Sequence, residues 1–211
     1  MINEDEPPQA VIDAALKAAR EGRAHGACAK SSRGAVVFSR THGGIWGVGY
    51  NAPPAPFQCS GTEACRKSCG RLAVHAEQAA IVAAMPCFAR LKLSPVEMVH
   101  VKIDEGGALV AGGPPSCEQC SKLILHAEIS AMWLFEATPS DWCPHLDRAA
   151  VDCTLCQGED CERCVRGVGD LRCEHDVLER HGTLPVVGGR WRRYTAEDFH
   201  RATLRNLGLG R

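Results

Sequence analysis

The sequence predicts an α/β protein, in which a mixed β-sheet is flanked by helices and a small cysteine-rich module is inserted late in the chain. The first observation is an alternation of apolar strand and helix patterns in the order β-β-α-β-α-β, whose helical crossovers place parallel strands side by side. The second is a change of composition after Glu136, where cysteine pairs stand among Gly, Asp and Arg. A hydrophobic content of 45% suffices for one core, and with only 5% aromatic residues, Ala, Val and Leu must fill it.

Turn and cap residues set the limits of the predicted elements. Gly22 is predicted to end the first helix, and Pro86 to end the central alanine-rich helix. Ser116 with Gln119 predicts a capping box, and Thr195 is expected to cap the last helix. In chain order we expect a helix at 9–21, strands at 34–40 and 45–50, a helix at 72–85, a strand at 96–103, a helix from Cys117, a strand at 129–135, a short hairpin at 184–194 and a last helix.

The cysteine-rich module is predicted to span residues 139–181, which divides a core domain into 1–138 and 182–211. Because the module has few large apolar residues, a metal ion would have to order it. The expected structural zinc ligands form two Cys-x-x-Cys pairs: Cys153, Cys156, Cys161 and Cys164. The alternative is a disordered insertion whose cysteines are incidental. No role is predicted for the cysteines and histidines that flank these pairs, Cys143, His145, Cys173 and His175.

Charge and composition narrow the function classes. The net charge of −1 gives no overall basic footprint for nucleic acid, although the last residues carry a local excess of arginine. The first residues lack the apolar core of a signal peptide, and no apolar run is long enough to cross a bilayer. We therefore expect a cytoplasmic protein without a membrane partner. In that reducing compartment, 13 cysteines indicate metal binding rather than disulfides.

Two short motifs carry the chemistry. His75-Ala76-Glu77 opens an apolar helix, and Pro115-Ser116-Cys117-Glu118-Gln119-Cys120 opens the next one. His75, Cys117 and Cys120 would give zinc three ligands and leave the fourth position open, as in catalytic sites. Zinc lowers the pKa of bound water, and a carboxylate two residues from the ligating histidine suits proton transfer. Each motif also has another interpretation. The first could be a solvated helix face, and the second could be a redox pair or a structural zinc site.

A second His-Ala-Glu triplet tests this assignment. His126-Ala127-Glu128 lies on the helix that begins near Cys117. Nine residues at a rise of ~1.5 Å place His126 about 14 Å from Cys117, which is too far to share a metal ion. We therefore expect His126 to be a polar side chain in the last helical turn.

These motifs resemble the signature of the zinc-dependent nucleobase deaminases, His-x-Glu followed by Pro-Cys-x-x-Cys, with one extra residue after the proline here. The chain most resembles deoxycytidylate deaminases over roughly residues 10 to 136, including Gly49-Tyr50-Asn51 before a proline-rich loop. The resemblance implies a cytidine-deaminase-like fold, a Zn²⁺ cofactor and a homo-oligomer. It also implies that Glu77 transfers protons, and that Asn51 and the backbones of Ala76 and Ser116 bind the substrate. From its residues alone, Asn51 could equally be a turn residue, since asparagine tolerates left-handed backbone geometry.

The resemblance also suggests a second, structural zinc near the first strand, as in some deoxycytidylate deaminases. Its four predicted ligands are Cys28, Cys59, Cys65 and Cys69. The alternative is a set of reduced, partly buried thiols that pack like small apolar side chains.

Three functions compete on this evidence. The leading one is hydrolytic deamination of a cytosine nucleotide, dCMP to dUMP or a close analogue. The second is deamination of a base in tRNA or single-stranded DNA, against which the scarcity of aromatic residues counts. The third is a non-catalytic, metal-stabilised binding module, for which the Glu77 carboxylate would have no use.

Overall fold

The computed structural model describes residues 5–28, 30–88, 95–113, 115–137 and 189–209. The chain divides into two compact units, one formed by Met1–Glu136 with Trp191–Arg211 and the other by Ala137–Arg190. In chain order the described elements are α1 (Gln9–Ala24), β1 (Ser32–Phe38), β2 (Ile45–Tyr50), α2 (Glu63–Leu72), α3 (Ala76–Phe88), β3 (Val96–Ile103), β4 (Leu109–Val110), α4 (Glu118–His126), β5 (Ile129–Ala137), β6 (Gly189–Thr195) and α5 (Arg201–Asn206). None of the helices within these ranges combines the length and the apolar character that a membrane span requires.

A mixed sheet organises the first unit. Its strand order is β2-β1-β3-β5-β6, and the two-residue strand β4 pairs with β3 off this path. Strand β1 runs antiparallel to both β2 and β3, whereas β3 and β5 are parallel, as the crossover through α4 requires. The predicted α/β class, a mixed sheet flanked by helices, is therefore confirmed.

The two faces of the sheet bury different helices. Alternation along β3 points Met98 to one face and Val99 to the other. The Met98 side packs with Ala80 of α3 and Ile124 of α4, while the Val99 side packs with Ala15 of α1. The helices whose N-termini carry the two metal motifs thus lie on the same face of the sheet.

Two glycines of β2 let α3 approach the sheet closely. A Cβ atom on Gly47 would lie 2.2 Å from the carbonyl oxygen of Ala80, and one on Gly49 would lie 2.4 Å from its nitrogen. These distances leave no room for a side chain, so the backbone of α3 packs directly on the strand. This contact fixes where the N-terminus of α3 lies relative to the strand ends.

The first helix continues past its predicted end. Gly22 lies inside α1, where a Cβ atom would approach the Tyr50 ring to 2.7 Å. The left-handed residue that ends the helix is Gly26, with a φ of 64°, and the N–H of Ala27 donates to the carbonyl of Gly22 at 2.9 Å. Gly22 is needed for packing rather than for ending the helix.

The predicted helix at 72–85 is wrong at both ends. Residues 63–72 belong to α2, which the cysteine-rich composition concealed and which Thr62 caps by accepting from the Cys65 N–H. Helix α3 begins at Ala76 and runs through Pro86 to Phe88. Proline lacks only its own N–H donor, and one lost hydrogen bond in the last turn does not end a helix that is packed on the sheet.

The C-terminal segment also differs in detail. Thr195, the predicted cap of the last helix, forms a capping box with Asp198, but the box caps a single 3-10 turn, Ala196–Asp198. The α-helix α5 begins after His200, whose side chain accepts from the Thr203 N–H. Of the predicted hairpin at 184–194, residues 184–188 lie outside the described part of the chain, and the rest falls within β6.

Candidate active site

His75 precedes the first residue of α3. Its backbone N–H donates to Oε1 of Gln78 at 2.9 Å, and its carbonyl accepts from the N–H of Ala79 at 3.0 Å. The residue before it, Val74, pairs with Ala52 in an isolated β-bridge. These bonds hold the backbone of His75 on both sides, so its imidazole is anchored at the helix N-terminus.

Cys117 and Cys120 occupy the N-terminus of α4. Cys117 is the N-cap residue without a side-chain capping bond, and Cys120 is buried within the first turn. The capping box predicted for Ser116 and Gln119 is wrong, because the Ser116 hydroxyl hydrogen-bonds with the Ser121 hydroxyl instead. The backbone N–H of His200 also donates to Ser121 Oγ at 3.1 Å. Ser116 therefore anchors the metal-motif loop to the core.

The structure brings the three predicted zinc ligands together. His75 Nδ1 lies 3.2 Å from Cys120 Sγ and 3.3 Å from Cys117 Sγ. The ligand atoms of all three residues lie within 4.8 Å of one another, and within the described ranges this is the group of His, Cys, Asp or Glu side chains that could hold a metal ion. One imidazole and two thiols at these distances fit zinc, and a tetrahedral ion held by three protein ligands keeps one position open.

The thiols differ in their readiness to lose a proton. A hydrogen bond with the Cys120 thiol, reinforced by His75, lowers the pKa of Cys117 to about 4. The same hydrogen bond and burial raise the pKa of Cys120, while the bond to Cys117 raises the pKa of His75. The N-terminus of α4 also favours a thiolate at Cys117. Since zinc binds deprotonated ligands, the site would release a proton from Cys120 on binding the metal.

Glu77 is buried in the first turn of α3, directly beside this group. Burial acts to raise the pKa of its carboxyl, but the interaction with His100, a backbone hydrogen bond and the charge of Arg33 outweigh burial, and the net pKa is lowered. Burial also lowers the pKa of Arg33. Arg33 donates to the carbonyl of Gly112 at 2.9 Å, which holds the guanidinium near the site.

His100 also belongs to the site, although no sequence motif indicated it. This histidine lies in β3, is 2% exposed, and has its Nε2 atom 4.0 Å from Oε2 of Glu77. Its register partners are Ala35 and Leu134, on the face that packs against α3. The available signal was a titratable residue in an otherwise apolar strand, at an even spacing from the inward-facing Met98.

The three predicted substrate-binding residues lie at the same end of the sheet. Ala76 is fully buried at the first position of α3, and Ser116 is buried beside Cys117. Asn51 is buried after β2; its Oδ1 accepts from the Arg33 N–H and its Nδ2 donates to the Ser31 carbonyl, both at 2.8 Å. Its backbone is not left-handed, because among the described non-glycine residues positive φ is found at Glu128. Both ends of the Asn51 side chain bind backbone, so a local structural role and substrate binding remain the two interpretations, and substrate binding stays a prediction.

The four cysteines predicted to hold a second zinc form two pairs. Cys59 and Cys65 have their sulfur atoms 3.5 Å apart, and Cys69 lies within hydrogen-bonding reach of Cys28. Cys65 and Cys69 are one turn apart on α2, which brings the two pairs near each other. Burial, followed by the charge of Cys28, raises the pKa of Cys69. Among the described residues these four thiols do not form a metal-binding group like that of His75, Cys117 and Cys120, so the second zinc stays a prediction.

Two predictions remain, the zinc ligands of the cysteine-rich module and the role of His126. Cys153, Cys156, Cys161 and Cys164, with the module around them, lie outside the described residues. His126 is exposed in the last turn of α4, as expected of the second His-Ala-Glu triplet.

Comparison with protein families agrees with this geometry. The family of the cytidine and deoxycytidylate deaminase zinc-binding region matches residues 5–136, well over half of the chain. The chain belongs to this family and is a zinc-dependent hydrolytic deaminase. No curated protein matches the chain significantly.

Solved structures of deaminases resemble the chain at low identity. The dCMP deaminase of the cyanophage S-TIM5 in apo form is 23% identical over 59% of this chain and 81% of that chain, with a TM-score of 0.37. Its complex with dCMP and dUMP is 24% identical over 59% and 80%, with a TM-score of 0.38. The cytidine deaminase of Burkholderia pseudomallei is 19% identical over 61% and 84%, with a TM-score of 0.39.

Proposed function

We propose that the protein hydrolyses the exocyclic amine of a cytosine nucleotide, converting dCMP to dUMP or acting on a close analogue. The observation that carries this proposal is the convergence of His75, Cys117 and Cys120 within 4.8 Å, beside the buried carboxylate of Glu77. A purely structural zinc site has four protein ligands and needs no carboxylate. Membership of the deaminase family directs the chemistry to a cytosine ring.

His75, Cys117 and Cys120 would hold zinc, which when bound supplies an acidified water molecule at neutral pH. Glu77 would take a proton from the attacking water and deliver it to N3 of the base. After water adds to C4, the same carboxyl would pass a proton to the amine, which leaves as ammonia. The balance is cytosine plus water to uracil plus ammonia, so Glu77 ends in its starting state.

The surroundings of Glu77 support this proton cycle. The charge of Arg33 favours the carboxylate form that begins the cycle, and burial favours the protonated form that follows. A group balanced between these influences can both accept and donate a proton. Asn51, Ala76 and Ser116 would bind the substrate at the adjoining end of the sheet.

The test is a panel of substrates scored for ammonia release by the purified, zinc-containing protein. The panel holds cytidine, deoxycytidine, CMP, dCMP, dCTP, cytosine-containing oligonucleotides and a tRNA pool. We expect the highest kcat/KM for a cytosine mononucleotide, with dCMP above deoxycytidine. Turnover confined to oligonucleotides or tRNA would replace the substrate class, and no turnover on any compound would refute the proposal.

A further inference from the structure

His100 is a buried polar group without a hydrogen-bond partner. Neither of its ring nitrogens has a hydrogen-bond partner among the described residues, and its side chain is 2% exposed. Buried polar groups in native proteins are nearly always paired, so an unpaired imidazole in the core calls for a reason. An apolar side chain would fill this place in β3 without that cost.

The ring faces the carboxylate of Glu77. Its Nε2 atom lies 4.0 Å from Oε2 of Glu77, whose side chain is 6% exposed. A hydrogen bond between nitrogen and oxygen needs about 3 Å, so a displacement of roughly 1 Å would close it. Hydrogen bonds among catalytic groups are often long without substrate and shorten when the complex forms.

The environment keeps His100 uncharged. Burial lowers its pKa to about 4, which outweighs the attraction of the Glu77 carboxylate and is reinforced by the charge of Arg33. A neutral imidazole has one N–H donor and one acceptor nitrogen, whereas an ionised carboxylate only accepts. A proton on Nε2 is therefore the arrangement that gives the two side chains a favourable contact. Nδ1 is then the unprotonated nitrogen, an acceptor for which the described residues supply no donor.

We propose that His100 is a positioning residue that donates its Nε2–H to Glu77 and holds the carboxylate in the orientation needed for proton transfer. This inference rests on the proposed function of Glu77. The support for His100 comes from the sheet: it is fixed in the middle of β3, between β1 and β5, and its neighbour Ala35 leaves room for the ring. A rigid strand is a better base for such a contact than a loop.

The first experiment does not depend on activity. The imidazole signals of zinc-containing protein labelled with ¹⁵N-histidine are recorded at neutral pH, and His100→Gln identifies the His100 signals among the nine histidines of the chain. We expect a neutral ring protonated at Nε2, whose Nε2 and Hε2 signals shift in Glu77→Gln. The proposal would be overturned by a ring protonated at Nδ1, by a charged ring, or by His100 signals that do not change in Glu77→Gln.

The second experiment separates positioning from packing with two variants of similar volume. His100→Gln keeps an N–H donor near the position of Nε2, and His100→Leu removes it. We expect His100→Leu to lower kcat about 10- to 100-fold with KM and zinc content unchanged. His100→Gln should stay within about threefold of wild type in kcat. Equal losses in both variants would overturn the proposal.

A neighbouring core position supplies the control. Met98 is fully buried two residues earlier on the same face of β3. Met98→Leu should lower the melting temperature without lowering kcat, which separates a general effect of core substitution from the loss of the donor. If the wild-type protein releases no ammonia from any compound, the function of Glu77 fails, and the histidine signals alone decide whether His100 donates to it.

Discussion

The two groups of cysteines in the first unit of this protein differ in how the fold presents them. Cys117 and Cys120 lie at the N-terminus of α4, facing His75 at the N-terminus of α3, and the three ligand atoms converge within 4.8 Å. Cys28 and Cys59 lie outside the helices and meet Cys69 and Cys65 of α2 in two separate pairs. Two packed helix ends bring ligands to one point, whereas ligands from connecting segments assemble less completely.

The charged neighbours of the two groups differ as well. The first has the buried carboxylate of Glu77 and the guanidinium of Arg33 nearby. The described charged neighbour of Cys69, apart from the other thiols, is Lys30, which acts to lower its pKa. A site with a carboxylate beside the metal position can move protons, while a group of thiols beside a lysine can hold a metal ion but lacks that acid. The contrast favours chemistry at the first group, while a structural zinc at the second stays a prediction.

The largest effect is expected from Cys117→Ala. Removing one of three ligands should release the catalytic zinc and reduce ammonia formation to background, because two ligands hold zinc weakly. The measurement is zinc content by elemental analysis alongside turnover of the best substrate. Cys87→Ala is the matched control, since Cys87 lies half-buried on α3, where its thiol donates to the Trp46 carbonyl at 3.9 Å. Full activity in Cys117→Ala would remove this residue from the site.

Glu77→Gln should divide metal binding from chemistry. The three ligands are untouched, so the zinc content should match wild type, while kcat falls by about 10²- to 10⁴-fold for lack of a proton carrier. Glu63→Gln makes the same change on α2, where Glu63 is exposed and pairs with Lys67 at 2.7 Å, and should leave kcat unaltered. Near-normal turnover in Glu77→Gln would show that another group transfers the proton.

A smaller effect on turnover is expected from Cys69→Ser. We predict that the thiol pairs hold a second zinc. Cys69→Ser should lose this second zinc, and Cys117→Ala should keep it. The loss should lower the melting temperature by about 5 °C or more, while kcat of the folded protein stays within about threefold. Cys87→Ser is the control for substituting a cysteine outside both groups. If Cys117→Ala contains no zinc at all, the four thiols hold no metal and the predicted second site is wrong.

The catalytic motifs could be predicted because their geometry is local. Cys117 and Cys120 are three residues apart at a helix start, so their spacing indicated a shared face. His75 was added by the resemblance of the two motifs to the deaminase signature. The contact between His100 and Glu77 could not be predicted in this way, because it depends on which helix covers which point of β3. Gly22 misled for the same reason: its packing against Tyr50 is a long-range property that its local preference for helix ends conceals.

The smallest effect is expected from the second His-Ala-Glu triplet, which provides the closest internal control for the first. His75 and His126 head identical triplets, but His75 lies at the start of α3 with its Nδ1 atom 3.2 Å from Cys120 Sγ, whereas His126 is exposed at the end of α4. A histidine at a helix C-terminus lies beside the carbonyl end of the helix dipole, which explains its place there without any metal. His126→Ala should therefore leave zinc content and kcat within about twofold of wild type. His75→Ala should lose both zinc and turnover. A comparable loss in His126→Ala would show that the position of the triplet along the helix does not decide which histidine binds the metal.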